Sequence, residues 1–100
     1  MTTASRSDAL PDIPTVGDFV PGYEASSWYG IGVPKNTPAG IVEILNKEIN
    51  AALAESKMQA RFFELGGTVI QGSPADFGVL IFDETAKWVK VVETSGARAE

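Results

Sequence analysis

Hydroxyl and aromatic side chains stand next to one another in one short stretch of this sequence, Ser26-Ser27-Trp28-Tyr29. Small-molecule clefts combine apolar walls with a few hydrogen-bonding groups, and this stretch offers both. Ser27, Trp28 and Tyr29 are therefore candidate substrate-binding residues. The alternative, which the spacing alone favours, is that Trp28 and Tyr29 are core anchors on opposite faces of a strand, each covered by a helix layer.

The residue types of the chain argue against an enzyme. It has no histidine and no cysteine, which rules out a Ser-His-Asp triad, a cysteine nucleophile, a disulfide scaffold and a zinc finger. Adjacent carboxylates such as Asp83 and Glu84 would diverge by about 100° on a helix. Glu84 falls within an apolar stripe, where it is either a perturbed functional carboxylate or a residue at the stripe edge near a lysine. We expect no catalytic residue, no cofactor and no metal site.

Glycine pairs and helix starts give only generic signals. Gly66-Gly67 and Gly30-x-Gly32 lack the spacing of a dinucleotide-binding or phosphate-binding loop and are interpreted as turn and packing glycines. Gly30 and Gly32 would let a neighbouring helix approach one face of a strand. Helix N-termini at Thr37-Pro38 and Ser73-Pro74 could attract an anion, as every helix start can.

Composition places the chain among ordinary globular domains. It has 100 residues, of which 44% are hydrophobic and 21% charged, so we expect one domain with a modest core. The formal charge of −5 and eight scattered lysines and arginines exclude a nucleic-acid-binding stripe and disfavour an anionic membrane surface. No apolar run is long enough to insert into a membrane, and no signal peptide is visible at Met1.

The hydrophobic pattern predicts the order strand, helix, helix, strand, helix, which is an α/β fold with few strands. The strands are expected at Tyr23–Val33 and Thr68–Gln71. The first helix would start with Thr37 as N-cap and Pro38 as its first residue, and would break near Glu55-Ser56. A second helix would stop at Gly66. The third would open with a capping box from Ser73 to Asp76 and end at Gly96.

Proline content divides the chain further. Residues 1–9 are expected to be a flexible tail, and residues 10–22 a proline-rich connector with Pro11, Pro14 and Pro21. Residues 23–96 would form the α/β domain, and residues 97–100 a second tail. Two strands make a poorly covered sheet whose edges stay open to other strands.

Ordered motifs along nearly the whole chain resemble the Bug/TctC family, the solute-binding proteins of tripartite tricarboxylate transporters. They are, in order, Ala9-Leu10-Pro11-Asp12-Ile13-Pro14-Thr15-Val16, Pro21-Gly22-Tyr23-Glu24, Ser27-Trp28-Tyr29-Gly30, Pro34-x-x-Thr37-Pro38, Leu45-Asn46-Lys47-Glu48-Ile49-Asn50, Leu65-Gly66-Gly67, Ser73-Pro74-x-x-Phe77 and Lys87-Trp88.

The resemblance implies part of one lobe of a type II periplasmic-binding-protein fold. Such proteins close two lobes around a small carboxylate and deliver it to membrane permease subunits. It implies a non-enzymatic solute-binding domain, equivalent to the C-terminal part of such a receptor, with weak or no ligand binding on its own. Family membership implies the periplasm, while the absence of a signal peptide on this chain leaves the cytoplasm open.

A second hypothesis belongs to a different class. The open sheet edges could instead serve a protein–protein interaction or self-association module, in which strands of a partner or a second copy extend the sheet. A concentration-dependent mass would distinguish this module from a monomeric binding lobe. An enzyme would need a carboxylate or lysine mechanism and would show a titration near neutral pH.

Overall fold

Three helices dominate the computed structural model, which describes residues 1–99. They are α1 at Ala39–Ala54, α2 at Ser56–Glu64 and α3 at Pro74–Ser95. A single 3-10 turn at Val16–Asp18 precedes them. The three predicted helices are thus confirmed, and no helix within residues 1–99 is long and apolar enough to cross a membrane.

The start of α1 differs from the prediction. Pro38 is the N-cap, because its carbonyl accepts hydrogen bonds from the amides of Ile41 and Val42. The hydroxyl of Thr37 donates to the carbonyl of Pro34 (2.7 Å) instead of capping the helix. Thr37 as N-cap was therefore wrong by one residue, since the preceding turn uses its side chain.

The other helix ends follow the expected chemistry. Glu55 has extended backbone (φ −69°, ψ 131°) and separates α1 from α2. Gly66 after α2 and Gly96 after α3 have φ of 76° and 70°, which glycine adopts without steric cost. At the start of α3 the Asp76 amide donates to Ser73 Oγ and the Ser73 amide to the Asp76 carboxylate, as predicted.

Asparagines on α1 fix the loop that leads into α3. The side-chain amides of Asn46 and Asn50 both donate to the carbonyl of Gly72, at 2.9 Å each. Asn50 Oδ1 accepts from the Gly72 amide (3.3 Å), and the Gln71 side chain donates to the Asn50 carbonyl (2.9 Å). The loop thus satisfies its backbone groups through side chains of α1, in the absence of a neighbouring strand.

Neither predicted strand forms within the described residues. The segments 23–33 and 68–71 have no regular secondary structure, so the strand-helix-helix-strand-helix order was wrong in its strands. A strand exists only when a neighbour pairs with its N–H and C=O groups, and these two segments do not pair with each other. The α/β prediction therefore does not hold for this chain alone.

The predicted modest core is also missing. Among residues 1–99 no hydrophobic side chain is buried, and Thr15, which is 3% exposed, is the one buried residue. Thr15 caps the 3-10 turn, with its hydroxyl accepting from the Asp18 amide (3.1 Å). The N-terminal residues lie beside it, since the Met1 amino group donates to the Pro14 carbonyl and the Ala25 amide to the Thr2 carbonyl.

Candidate functional site

Segment 23–33 carries all three candidate binding residues and lies along α3. Near its start, Glu24 forms an ion pair with Lys87. Further along, Trp28 packs against Phe77, ten residues earlier on the helix. The segment therefore runs antiparallel to α3, with the side chains of Glu24 and Trp28 turned towards the helix.

The contact of Trp28 with Phe77 is edge-to-face. The ring centroids are 5.7 Å apart and the ring planes are inclined at 84°, a favourable aromatic geometry. A Cβ on Gly30 would lie only 2.3 Å from Phe77 Cζ, whereas a Cβ on Gly32 would meet nothing within 4 Å. The expected close helix approach thus occurs at Gly30 and not at Gly32.

The opposite face of the segment is open, and we call it the open face: Ser27, Tyr29, Ile31 and Val33. All four side chains are exposed, and Tyr29 is 96% exposed. Trp28 is 38% exposed. The alternative interpretation made both Trp28 and Tyr29 core anchors, each covered by a helix. It holds in part for Trp28, which α3 partly covers, but no described residue covers Tyr29.

A polar cluster ties the segment to α3. The Glu24 carboxylate accepts from Lys87 Nζ and from Ser26 Oγ (2.6 Å). The hydrogen bond from Lys87, and then that from Ser26, lower the pKa of Glu24. The hydrogen bond to Glu24 raises the pKa of Lys87, with help from the charge of Glu84. The positive charge of Lys87 is thus already partnered within the chain.

Glu84 has a structural place in this cluster. Its carboxylate accepts a hydrogen bond from Trp88 Nε1 (2.8 Å) and lies near Lys87, whose ammonium stands 5.4 Å from the centre of the Trp88 ring. Of the two interpretations of this residue, the structure supports the carboxylate near a lysine.

The two helix N-termini proposed as anion-attracting differ in occupancy. The Asp76 carboxylate fills that of α3, and hydrogen bonds from Ser73, chiefly from its backbone amide, lower the pKa of Asp76. The N-terminus of α1 has no side-chain cap. Of these two helix starts, only that of α1 has backbone N–H groups to which no carboxylate of the described residues is bound.

A hollow of about 290 Å³ lies away from the candidate residues. The N-terminal residues, the end of α2 and the loop after it form its walls, which include Asp8, Gln59, Phe63 and Gln71. Its lining contains a carboxylate and no lysine or arginine, which disfavours an anionic ligand there.

Sequence reasoning singled out Ser27, Trp28 and Tyr29 but missed the residues that hold their segment in place. Glu24, Phe77 and Lys87 fix the segment, and Glu24 and Lys87 are separated by 63 residues. The alternation of segment 23–33 could have indicated which residues share a face. No local signal could have paired them with particular residues of a distant helix.

Comparison with known proteins identifies the family. The sequence model of the family "Tripartite tricarboxylate transporter family receptor" matches residues 1–97 of this chain. A UPF0065 protein of Bordetella bronchiseptica is 31% identical over 98 residues, covering 98% of this chain and 29% of that protein. Protein BugT of Bordetella pertussis is 32% identical over 97 residues, covering 96% of this chain and 30% of BugT.

A solved structure agrees with these relatives. The R. palustris protein Rpa4515, determined with adipate, is 38% identical, with a TM-score of 0.84 over 95% of this chain and 32% of Rpa4515. The backbone path therefore matches that of part of Rpa4515 even though strands are absent from residues 1–99. The chain spans about 30% of the length of the curated relatives named above.

The family consists of solute-binding receptors and not of enzymes, as expected from the missing catalytic residue types. With the family model matched across residues 1–97, the chain belongs to the tripartite tricarboxylate transporter receptor family.

Proposed function

We propose that this chain forms one wall of a carboxylate-binding cleft in a receptor of its family. Ser27 and Tyr29 would contact the ligand, and Trp28, of the three candidate residues, would anchor the segment against Phe77 on the opposite face. The observation that carries the proposal is the pair of exposed hydroxyls on the open face of a segment held against α3. A rigid support with exposed polar groups is what a binding wall requires.

The ligand class follows from chemistry and from the relatives. The family is named for tricarboxylates, and Rpa4515 was determined with the dicarboxylate adipate. Serine and tyrosine hydroxyls donate to carboxylate oxygens in short, charge-assisted hydrogen bonds. Since Lys87 is paired with Glu24, neutral hydroxyl donors would serve this wall.

The rest of the cleft would come from outside the described residues. A ligand cleft surrounds most of its ligand, whereas the open face is a single exposed surface. We therefore propose that the chain alone binds carboxylates weakly or not at all. In a whole receptor, the periplasm would be its compartment and membrane permease subunits its partners.

A chimeric receptor tests the site inside a complete cleft. Residues 1–97 would replace the matching third of Rpa4515, and calorimetry would measure adipate affinity. Removing both hydroxyls with Ser27→Ala and Tyr29→Phe should weaken binding at least tenfold, because a hydrogen bond to a charged group contributes about 1.5–3 kcal/mol.

The matched control is Lys35→Ala, an exposed residue in the turn that follows the segment. This variant should bind adipate as the parent chimera does. Unchanged affinity after loss of both hydroxyls, in a chimera that binds adipate, would overturn the assignment of the open face to the cleft.

A further inference from the structure

The hollow at the end of α2 lies apart from the proposed carboxylate wall and differs from it in charge. Its volume is about 290 Å³, close to the lower limit of small-molecule pockets. Among residues 1–99, Asp8 is the one charged residue in its lining. The hollow therefore carries a local negative charge, which attracts a cation.

Two side-chain amides in the lining keep their oxygen atoms available. Gln59 donates through Nε2 to the Leu53 carbonyl (3.1 Å), and Gln71 donates through Nε2 to the Asn50 carbonyl (2.9 Å). No group within residues 1–99 donates a hydrogen bond to either Oε1 atom or to the Asp8 carboxylate. The hollow thus contains three side chains with free acceptor atoms.

Hydrogen bonds hold the walls of the hollow in place. On one side, Ser7 Oγ accepts from the Ala9 amide (3.2 Å), and the Ser7 carbonyl accepts from the Leu10 amide (3.0 Å). These two bonds close a turn around Asp8. On the other side, the Gly67 amide donates to a carbonyl in the last turn of α2 (2.8 Å). Acceptors on fixed walls are what a selective site requires.

The end of α2 adds to the attraction for a cation. The hollow lies beside Phe63 in the last turn, where the carbonyl end of a helix carries partial negative charge. Lys57 and Arg61 lie roughly 160° around the helix from Gln59, on the side away from the hollow. Arg61 is also paired with Glu64 (3.0 Å). The exposed ring of Phe63 offers an aromatic surface to a cation or an alkyl chain.

We propose that this hollow binds a small primary amine in its ammonium form. An ammonium group has three N–H donors and no acceptor, which matches the free acceptors of Asp8, Gln59 and Gln71. Its hydrogen bond to Asp8 is charge-assisted. The alkyl chain lies against Phe63, as the stem of a lysine does on an apolar surface. The site is separate from segment 23–33 and does not depend on carboxylate binding there.

A divalent metal ion fits the hollow less well. Calcium and magnesium need several oxygen ligands, usually with more than one carboxylate. A single carboxylate lines the hollow, and no three acidic residues within residues 1–99 are placed to hold a metal ion together. A quaternary ammonium has the charge but no N–H group, so the two amide oxygens would stay unused.

Butylammonium is the probe, added as its chloride to the full chain at about pH 7, where an alkylamine is protonated as lysine is. Two-dimensional NMR would follow the backbone amides of Gly66 and Gly67 and the side-chain amides of Gln59 and Gln71. Potassium chloride at equal ionic strength is the reference. We expect saturable shifts at these groups and none in segment 23–33. Tetramethylammonium should bind about tenfold more weakly, because it donates no hydrogen bond.

A paired substitution removes the same charge inside and outside the hollow. Asp8→Asn should weaken butylammonium binding about fivefold or more, because a neutral amide replaces the carboxylate. Asp12→Asn removes an exposed carboxylate that does not line the hollow, and should leave binding unchanged. Absence of saturable shifts, shifts that potassium chloride reproduces, equal binding of tetramethylammonium, or equal losses in the two variants would each overturn the proposal.

Discussion

At the scale of single residues, the position of the segment from Tyr23 to Val33 depends on which of its alternating side chains contact α3. Three even positions contact α3, namely the carboxylate of Glu24, the indole of Trp28 and the glycine at position 30. The odd positions of the open face, from Ser27 to Val33, are exposed and carry the candidate hydroxyls of Ser27 and Tyr29. A one-residue shift would exchange the two faces.

Glycine at position 30 should be required for this packing. Gly30→Ala would drive a methyl group into the Phe77 ring, and overpacking of this kind typically costs about 1–3 kcal/mol. Urea unfolding followed by tryptophan fluorescence would measure the loss, because Trp28 packs against Phe77 of α3.

Gly32→Ala is the matched control. It adds the same methyl group two residues away, where nothing lies within 4 Å, and neither glycine has a positive φ. We expect a change within about 0.5 kcal/mol for Gly32→Ala. Equal losses at the two positions would show that Phe77 does not lie against Gly30.

At the scale of elements, the helices were predictable and the strands were not. Capping residues and left-handed glycines act within one turn, so Ser73, Asp76, Gly66 and Gly96 marked helix ends from sequence alone. Strands depend on neighbours that can be distant in sequence. The segments with strand-like patterns are present, but their pairing partners are not among residues 1–99.

The Glu24–Lys87 pair should make the attachment of the segment to α3 depend on pH. The pKa of Glu24 is lowered, so its contribution is present above its unfolded value of about 4.3 and is lost as pH falls through the folded value. The pKa of Lys87 is raised, so its contribution is present below about 10.4 and is lost as pH rises through the folded value.

Between these limits the pair should hold the segment on the helix. Glu24→Gln should increase amide exchange around Ala25 and Ser26 at about pH 7 and abolish the part of the acid response that belongs to this pair. Asp76 should keep its own acid response, because its pKa is lowered by Ser73 at the start of α3. An acid response identical in parent and Glu24→Gln chains would contradict this assignment.

At the scale of the whole molecule, composition was a misleading guide. A hydrophobic content of 44% predicts a chain that buries a core, yet residues 1–99 bury no apolar side chain. The apolar residues fit a larger fold, since the relatives are about three times as long as this chain. The family resemblance predicted a match to only part of a longer receptor, and the chain does span about 30% of the length of its relatives.

The most direct test of the cleft assignment is a crystal structure of the Rpa4515 chimera with adipate bound. We predict that Ser27 Oγ or Tyr29 Oη lies within about 3.2 Å of a ligand carboxylate oxygen, as a hydrogen bond requires. Adipate bound with both hydroxyl oxygens more than about 6 Å away, beyond reach even through one bridging water, would contradict the account.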